Sequence, residues 1–187
     1  MTVAVLAVQG AFEEHKKMLL GLGAKVIELR KAEDLKKDFN RLVLPGGEST
    51  VQGKLLRELG MFESLQKRIE EGMPVLATCA GLILLAKEIS NDAGRCFQTL
   101  PVTVKRNAYG RQLGSFFYEG EIEGIGQYPM EFIRAPYIEK ADEEVSVLAE
   151  VKGNIVAVQY KNQLAMSFHP ELTEDTRIHE QFLSMID

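Results

Sequence analysis

A chain of 187 residues, 45% of them hydrophobic, has room for one domain with a sizeable core. Its apolar runs stop short of the roughly 18 residues that a membrane span needs. The net charge of −5, with Lys and Arg spread among acids, gives no footing for nucleic acid. Met1 to Val8 lacks a basic leader and runs straight into a turn and a charged stretch, so it reads as a first strand rather than a signal peptide. Two cysteines make no disulfide framework and suit a reducing compartment, the cytoplasm.

Strand and helix patterns alternate through the first half. Residues 3–8 are a near-continuous apolar strand, as expected where both faces of a parallel sheet are covered. An amphipathic helix is predicted over 12–22, with Phe12, Leu19, Leu20 and Leu22 set between charges and Gly21 and Gly23 near its end. A second strand over Lys25–Leu29, a short helix over Asp34–Asp38 and a third strand over Arg41–Leu44 follow. Pro45-Gly46-Gly47-Glu48-Ser49 breaks the pattern, and helices are predicted over 50–59 and 61–71. This β-α-β-α-β order implies an α/β fold: a doubly wound, mostly parallel sheet flanked by helices. Ligands in such sheets bind beyond the carboxyl ends of the strands.

The second half is strand-rich, with antiparallel additions expected from pieces at 101–104, 113–122, 130–133, 145–151, 154–160 and 163–168. Tyr160-Lys161-Asn162-Gln163 reads as a hairpin turn. A closing amphipathic helix is predicted over 173–186, with Thr173 as N-cap and Glu174 and Asp175 in its first turn. No linker divides the chain, so residues 1–187 are read as one domain.

Pro74 to Ala86 carries the chemistry. It reads as a short apolar strand, Cys79, then a helix apolar almost all round. A cysteine at that junction sits on a tight elbow, and the small residues Ala77, Ala80 and Gly81 allow close strand–helix approach. The first backbone N–H groups of the helix lack intrahelical partners and can bind a developing oxyanion. The alternative is a buried cysteine packed as a small hydrophobe. Cys96, with no elbow around it, reads as a bystander.

Context separates the three histidines. His15 and His179 lie among charges on predicted helices and read as solvated surface positions. His169 ends a strand and precedes Pro170-Glu171. Proline restricts the residue before it to extended backbone, where residues i and i+2 project to one side. His169 and Glu171 can therefore pair, fixing the imidazole tautomer and leaving its other nitrogen as a base for a thiol. Two distant cysteines and one strand-end histidine do not make a zinc spacing, so no metal and no cofactor is expected.

Gly46-Gly47-Glu48-Ser49 lacks the lysine and spacing of a phosphate loop. Its glycines instead permit close backbone approach to a ligand, with N–H groups aimed at an oxyanion. A substrate with α-amino and α-carboxylate groups needs an arginine, and Arg106, Arg111 and Arg134 are candidates that spacing does not separate.

Thr78-Cys79-Ala80-Gly81, Ser167-Phe168-His169-Pro170-Glu171 and Leu44 to Ser49 resemble the class I (triad) glutamine amidotransferases. Ala7 to Phe12, Arg106 to Gln112 and Phe132 to Ile138 extend the resemblance to the glutaminase subunits of pyridoxal 5′-phosphate synthases. It implies the flavodoxin-like fold of that class, with Cys79 as nucleophile, His169 as general base and Glu171 as its orienter. It also implies L-glutamine binding by Gly47, Glu48, Ser49, Arg106, Ile133 and Arg134. The oxyanion hole would be the N–H of Ala80 and the Gly46–Gly47 peptide. The implied partner is a separate (β/α)₈-barrel synthase subunit in a hetero-oligomeric complex. That subunit would use the ammonia to make pyridoxal 5′-phosphate from ribose 5-phosphate and glyceraldehyde 3-phosphate. Two positions depart from the pattern: Ala77 replaces the usual elbow glycine, and Ala108 stands where serine is expected. The competing readings are a stand-alone cysteine hydrolase or stress protein on a similar sheet, and a non-catalytic ligand-binding module. The order Cys, His, Glu disfavours an α/β-hydrolase, in which the acid precedes the histidine.

Overall fold

Five short apolar segments assemble into the parallel half of a ten-stranded sheet in the computed structural model, which describes residues 1–107 and 114–186. They are β1 (Thr2–Leu6), β2 (Lys25–Leu29), β3 (Arg41–Leu44), β4 (Val75–Thr78) and, from the end of the chain, Gln163–Met166. The spatial order is β2-β1-β3-β4 and then Gln163–Met166, every pair parallel. Successive residues of these strands feed two cores on opposite faces. Ala4, Leu6, Leu42, Leu44, Val75 and Ala77 join one, and Val3, Val5, Val43 and Leu76 join the other. The first face is covered by α2 (Ser49–Glu58), α3 (Phe62–Glu70) and α4 (Ala80–Leu85). The second is covered by α1 (Phe12–Gly21) and α5 (Arg177–Ser184).

The second half completes the sheet: β5 (Ala86–Ile89), β6 (Leu100–Lys105), β9 (Tyr137–Ala141), β10 (Ser146–Val151), β11 (Asn154–Tyr160) and β12, the Gln163–Met166 strand. From β12 the order continues β11-β9-β6-β5 through three antiparallel pairings and a final parallel one. The β11–β12 hairpin turns at Lys161-Asn162, as the sequence predicts, with Lys161 at φ 50°. β7 (Ser115–Ile122) and β8 (Gly126–Ile133) form a separate two-stranded ribbon. Tyr128, Met130 and Phe132 of β8 alternate inward and pack against Phe168, with Phe132 edge-on at 5.6 Å between ring centroids.

Several predicted elements are corrected. The all-apolar helix after Cys79 lasts six residues, because Ala86 turns extended and Ala86–Ile89 joins β6. Neither β5 nor β9 is legible in the sequence, since both are short and mix charged with apolar residues. The helix expected over Asp34–Asp38 is a 3₁₀ turn over Ala32–Lys36. The Asp34 carboxylate accepts the N–H groups of Arg30 and Lys31 and pairs with Lys37, which together hold its pKa down at about 2. The closing helix starts at Arg177, after a 3₁₀ turn over Pro170–Leu172. Thr173 is not its cap: Thr173 Oγ1 donates back to Pro170 O and accepts the N–H of Asp175.

Gly81 sets how closely α4 lies on β3. A Cβ there would stand 2.0 Å from Leu44 O, a backbone atom with no freedom to yield. Gly81→Ala should therefore destabilise the chain by about 1–3 kcal/mol, read from its urea midpoint. An unchanged midpoint would mean that α4 can lift off β3.

Candidate active site

The carboxyl ends of β1, β3, β4 and β12 lie side by side, because Leu44 pairs with Ala77 and Thr78 with Met166. Gln9-Gly10, Gly46-Gly47, Cys79 and His169 follow those four strands and meet at one edge of the sheet. The predicted elbow is present: Cys79 adopts φ 48° and ψ −101° between β4 and α4. Such a backbone costs a non-glycine residue about 1–3 kcal/mol. The Cys79 N–H to Met166 O hydrogen bond of 2.9 Å and the fully packed α4 hold it in place. Cys79 Sγ lies 3.8 Å from Ile133 O, and the residue is 6% exposed.

His169 and Glu171 pair as expected, with Nδ1 to Oε1 at 2.6 Å. The path between them differs from the extended one predicted, since Pro170 opens the 3₁₀ turn that swings Glu171 back under the ring. The backbone N–H of His169 donates to Glu131 O at 2.8 Å, tying this residue to the β7–β8 ribbon. The imidazole rests directly on Gly46, where a Cβ would stand 2.3 Å from Cε1. No larger residue fits there. Burial disfavours the charged form of His169, but the neighbouring Cys79 sulfur and the Glu171 carboxylate outweigh burial and push its pKa up to about 10. Burial likewise works against the Glu171 charge, and the facing rings of His15 and His169 hold its carboxyl below the usual range.

His15 and His179 are not surface residues. Both are completely buried. His15 Nε2 lies 3.3 Å from Glu171 Oε2 and 3.1 Å from Thr78 Oγ1, and His15 Nδ1 is 2.9 Å from His179 Nε2. Burial pulls both histidines below their ordinary pKa, His179 to about 2. The neighbouring charges mask a helical stripe that was available in the sequence. Phe12, His15 and Leu19 share one face of α1, as Ile178, His179 and Phe182 do on α5.

The turn after β3 is fastened on several sides. The Gly46 N–H donates to Thr78 Oγ1 at 3.1 Å, and Gly46 O accepts the Ala11 N–H at 3.0 Å. The Glu48 N–H donates to Gln9 Oε1 at 2.8 Å. The Gln52 side chain reaches Gln9 O and Pro45 O at 3.0 and 3.2 Å. In the sequence Thr78 stands out only as part of the elbow motif, and Gln52 not at all. Gln52 could have been found as a polar member of the buried Ser49, Gln52, Leu56 stripe on α2.

A cleft of about 610 Å³ opens over the edge, within the range of small-molecule sites. Of the predicted residues, Gly46, Gly47, Glu48 and Ser49 line it with Cys79 and His169, and so do Arg106, Ile133 and Arg134. Glu171 sits behind His169 and Ala80 beneath Cys79, both buried. Arg106 is engaged by Asp92, with Nη1 2.5 Å from Oδ2. Arg134 has φ 44°, and its N–H donates to Gly114 O. Arg111 and Ala108 lie outside the described residues. Cys96 is buried away from this cleft, and burial pushes its thiol up against the opposing pull of Arg57. No cluster of three or more His, Cys, Asp or Glu side chains suited to a metal occurs among the described residues.

Relatives share this architecture from end to end. Over 186 residues the chain is 63% identical to the pyridoxal 5′-phosphate synthase subunit PdxT of Desulfitobacterium hafniense, covering 100% of this chain and 94% of that one. It is 51% identical over 188 residues to the Streptococcus pneumoniae protein of the same name, covering 99% and 97%. A crystal structure of a glutamine amidotransferase superimposes with a TM-score of 0.92 at 47% identity, covering 98% of this chain and 97% of that one. A glutamine amidotransferase of Thermotoga maritima shares the fold alone, with a TM-score of 0.63 at 16% identity over 98% and 82% of the two chains. The model of the SNO glutamine amidotransferase family matches residues 5–187, and the chain belongs to that family.

Proposed function

We propose that this chain is the glutaminase of a pyridoxal 5′-phosphate synthase, and that residues 1–187 act as one catalytic domain. The observation that carries the reading is the strained Cys79 elbow set beside the 2.6 Å His169–Glu171 pair. In the proposed reaction the Cys79 thiolate attacks the side-chain amide carbon of L-glutamine. The oxyanion is met by the N–H groups of Gly47 and Ala80; the Gly46 N–H is already given to Thr78. The His169 imidazolium protonates the departing ammonia, and Glu171 holds its ring. Water, deprotonated by His169, then cleaves the glutamyl thioester to glutamate and the free thiol. The sum is glutamine plus water to glutamate plus ammonia.

Gly47, Glu48, Ser49, Ile133, Arg106 and Arg134 are assigned to the glutamine itself, the arginines to its α-carboxylate. The ammonia is used by a separate (β/α)₈-barrel synthase subunit, in a hetero-oligomeric complex that makes pyridoxal 5′-phosphate from ribose 5-phosphate and glyceraldehyde 3-phosphate. The names of the relatives support that partner. Two free thiols suit work in the reducing cytoplasm. Docking of the synthase is sensed at Gln9-Gly10, whose neighbourhood holds both sides of the Gly46–Gly47 turn.

Ammonia release from L-glutamine tests the core of this reading. A glutamine-like diazoketone should modify Cys79 and spare Cys96, and Cys79→Ala should fold normally without turnover. Equal labelling of the two thiols would refute it. Arg106→Ala and Arg134→Ala should raise KM more than they lower kcat, by about 1–3 kcal/mol for a lost charged hydrogen bond. An unchanged KM in both variants would remove them from the carboxylate. If one oxyanion donor is set by docking, adding the synthase subunit should raise kcat by about 10²–10³ at saturating glutamine. Equal kcat for the free chain and the complex would make the turn a fixed oxyanion hole.

A further inference from the structure

The buried histidines behind Glu171 belong to no step of the proposed reaction, yet one of them, His15, faces its second carboxylate oxygen. Glu171 Oε2 has no hydrogen-bond partner of its own among the described residues, and the polar atom set against it is His15 Nε2 at 3.3 Å. Two neighbours fix the tautomer of that ring. His179 Nδ1 is buried without a partner, and a buried orphan is rarer as an N–H than as an acceptor lone pair. His179 therefore carries its proton on Nε2 and donates it to His15 Nδ1 across 2.9 Å. His15 must then carry its own proton on Nε2, facing Thr78 Oγ1 and Glu171 Oε2. The opposite arrangement would strand the His179 proton and turn a lone pair of His15 toward a carboxylate.

We propose that His15 is a positioning residue: its Nε2–H, oriented by His179, holds Glu171 in the rotamer that aligns His169 with Cys79. The same nitrogen meets Thr78 Oγ1, which receives the Gly46 N–H, so one side chain steadies both the acid and the oxyanion turn. Four separate elements, α1, β4, the 3₁₀ turn and α5, converge on this point. Outer partners of this kind act through the groups they orient, and their loss costs about 10–100-fold in function. The proposal rests on the reading of Cys79, His169 and Glu171 as a triad.

The test uses the complex with the synthase subunit and compares two polar variants of similar size. In His15→Gln the amide nitrogen reaches the place of Nε2 and keeps a donor toward Glu171, whereas in His15→Asn the shorter amide reaches only that of Nδ1. Per folded molecule, His15→Asn should lose about 10–100-fold in kcat with KM for glutamine within about twofold. His15→Gln should recover most of that loss, although the two melt at similar temperatures. If His15→Asn does not fold, His179→Phe, which frees the His15 tautomer, should show the same fall in kcat at constant KM; a normal kcat there overturns the proposal. Equal kcat in the Asn and Gln variants, with turnover abolished by Cys79→Ala, overturns the His15 assignment alone. Turnover that survives Cys79→Ala overturns the triad reading and this proposal with it.

Discussion

Glu171 is a carboxylate held almost entirely out of water, and the arrangement of the site follows from satisfying it. An isolated buried carboxylate is too costly to keep ionised, so its oxygens must face donors from every side. One oxygen takes His169 at 2.6 Å, and the other faces His15 at 3.3 Å. These contacts recruit α1 and α5, at opposite ends of the chain, to the back of one strand end. The requirement also explains an element that the sequence conceals. Pro170 opens a 3₁₀ turn instead of continuing the strand, which brings Glu171 beneath His169 and out of the cleft.

The parallel sheet does the remaining assembly. Adjacent strands in register deliver their successors to one edge without any long-range design beyond strand order. Met166 pairs with Thr78, so residues one and three positions further on, Cys79 and His169, emerge as neighbours. Close approach is then a matter of side-chain volume. Gly46 admits the His169 ring and Gly81 admits the β3 backbone. The β7–β8 ribbon, anchored through Phe132 and Phe168, brings Ile133 O to 3.8 Å from the sulfur.

What the sequence made legible was local. A short apolar strand followed by cysteine signals the elbow within a few residues, and His169-Pro170-Glu171 signals the pairing of its two side chains but not the 3₁₀ path that brings them together. The β-α-β-α-β alternation signals the sheet by period and spacing alone. The missed features depend on tertiary packing. His15 sits in Glu13-Glu14-His15-Lys16-Lys17, where four charged neighbours suggest solvent, but a helix buries only every third or fourth residue. Its burial is decided by α5, about 160 positions away in sequence as the 164-residue separation of His15 and His179 shows. Thr78 was legible as part of the elbow, not as the acceptor of the Gly46 N–H, because that contact joins two strand ends. β5 and β9 are short strands whose identity comes from their partner β6.

A neutral histidine behind Glu171 suits this chemistry better than a cation would. Lysine or arginine at position 15 would satisfy the same oxygen, but its full charge would compete with His169 for the carboxylate. The field that sustains the His169 imidazolium would then be partly cancelled inside a site with little water to screen it. Burial keeps His15 and His179 below their ordinary pKa values, which favours their neutral, N–H-donating forms over a full positive charge. In the proposed reaction Glu171 thus remains electrostatically committed to His169, the ring assigned to hold a proton until ammonia leaves. The chain of rings ends at His179 Nδ1, which is left with an unused lone pair rather than a stranded proton. A relay that ends on a lone pair can orient the acid without draining its charge.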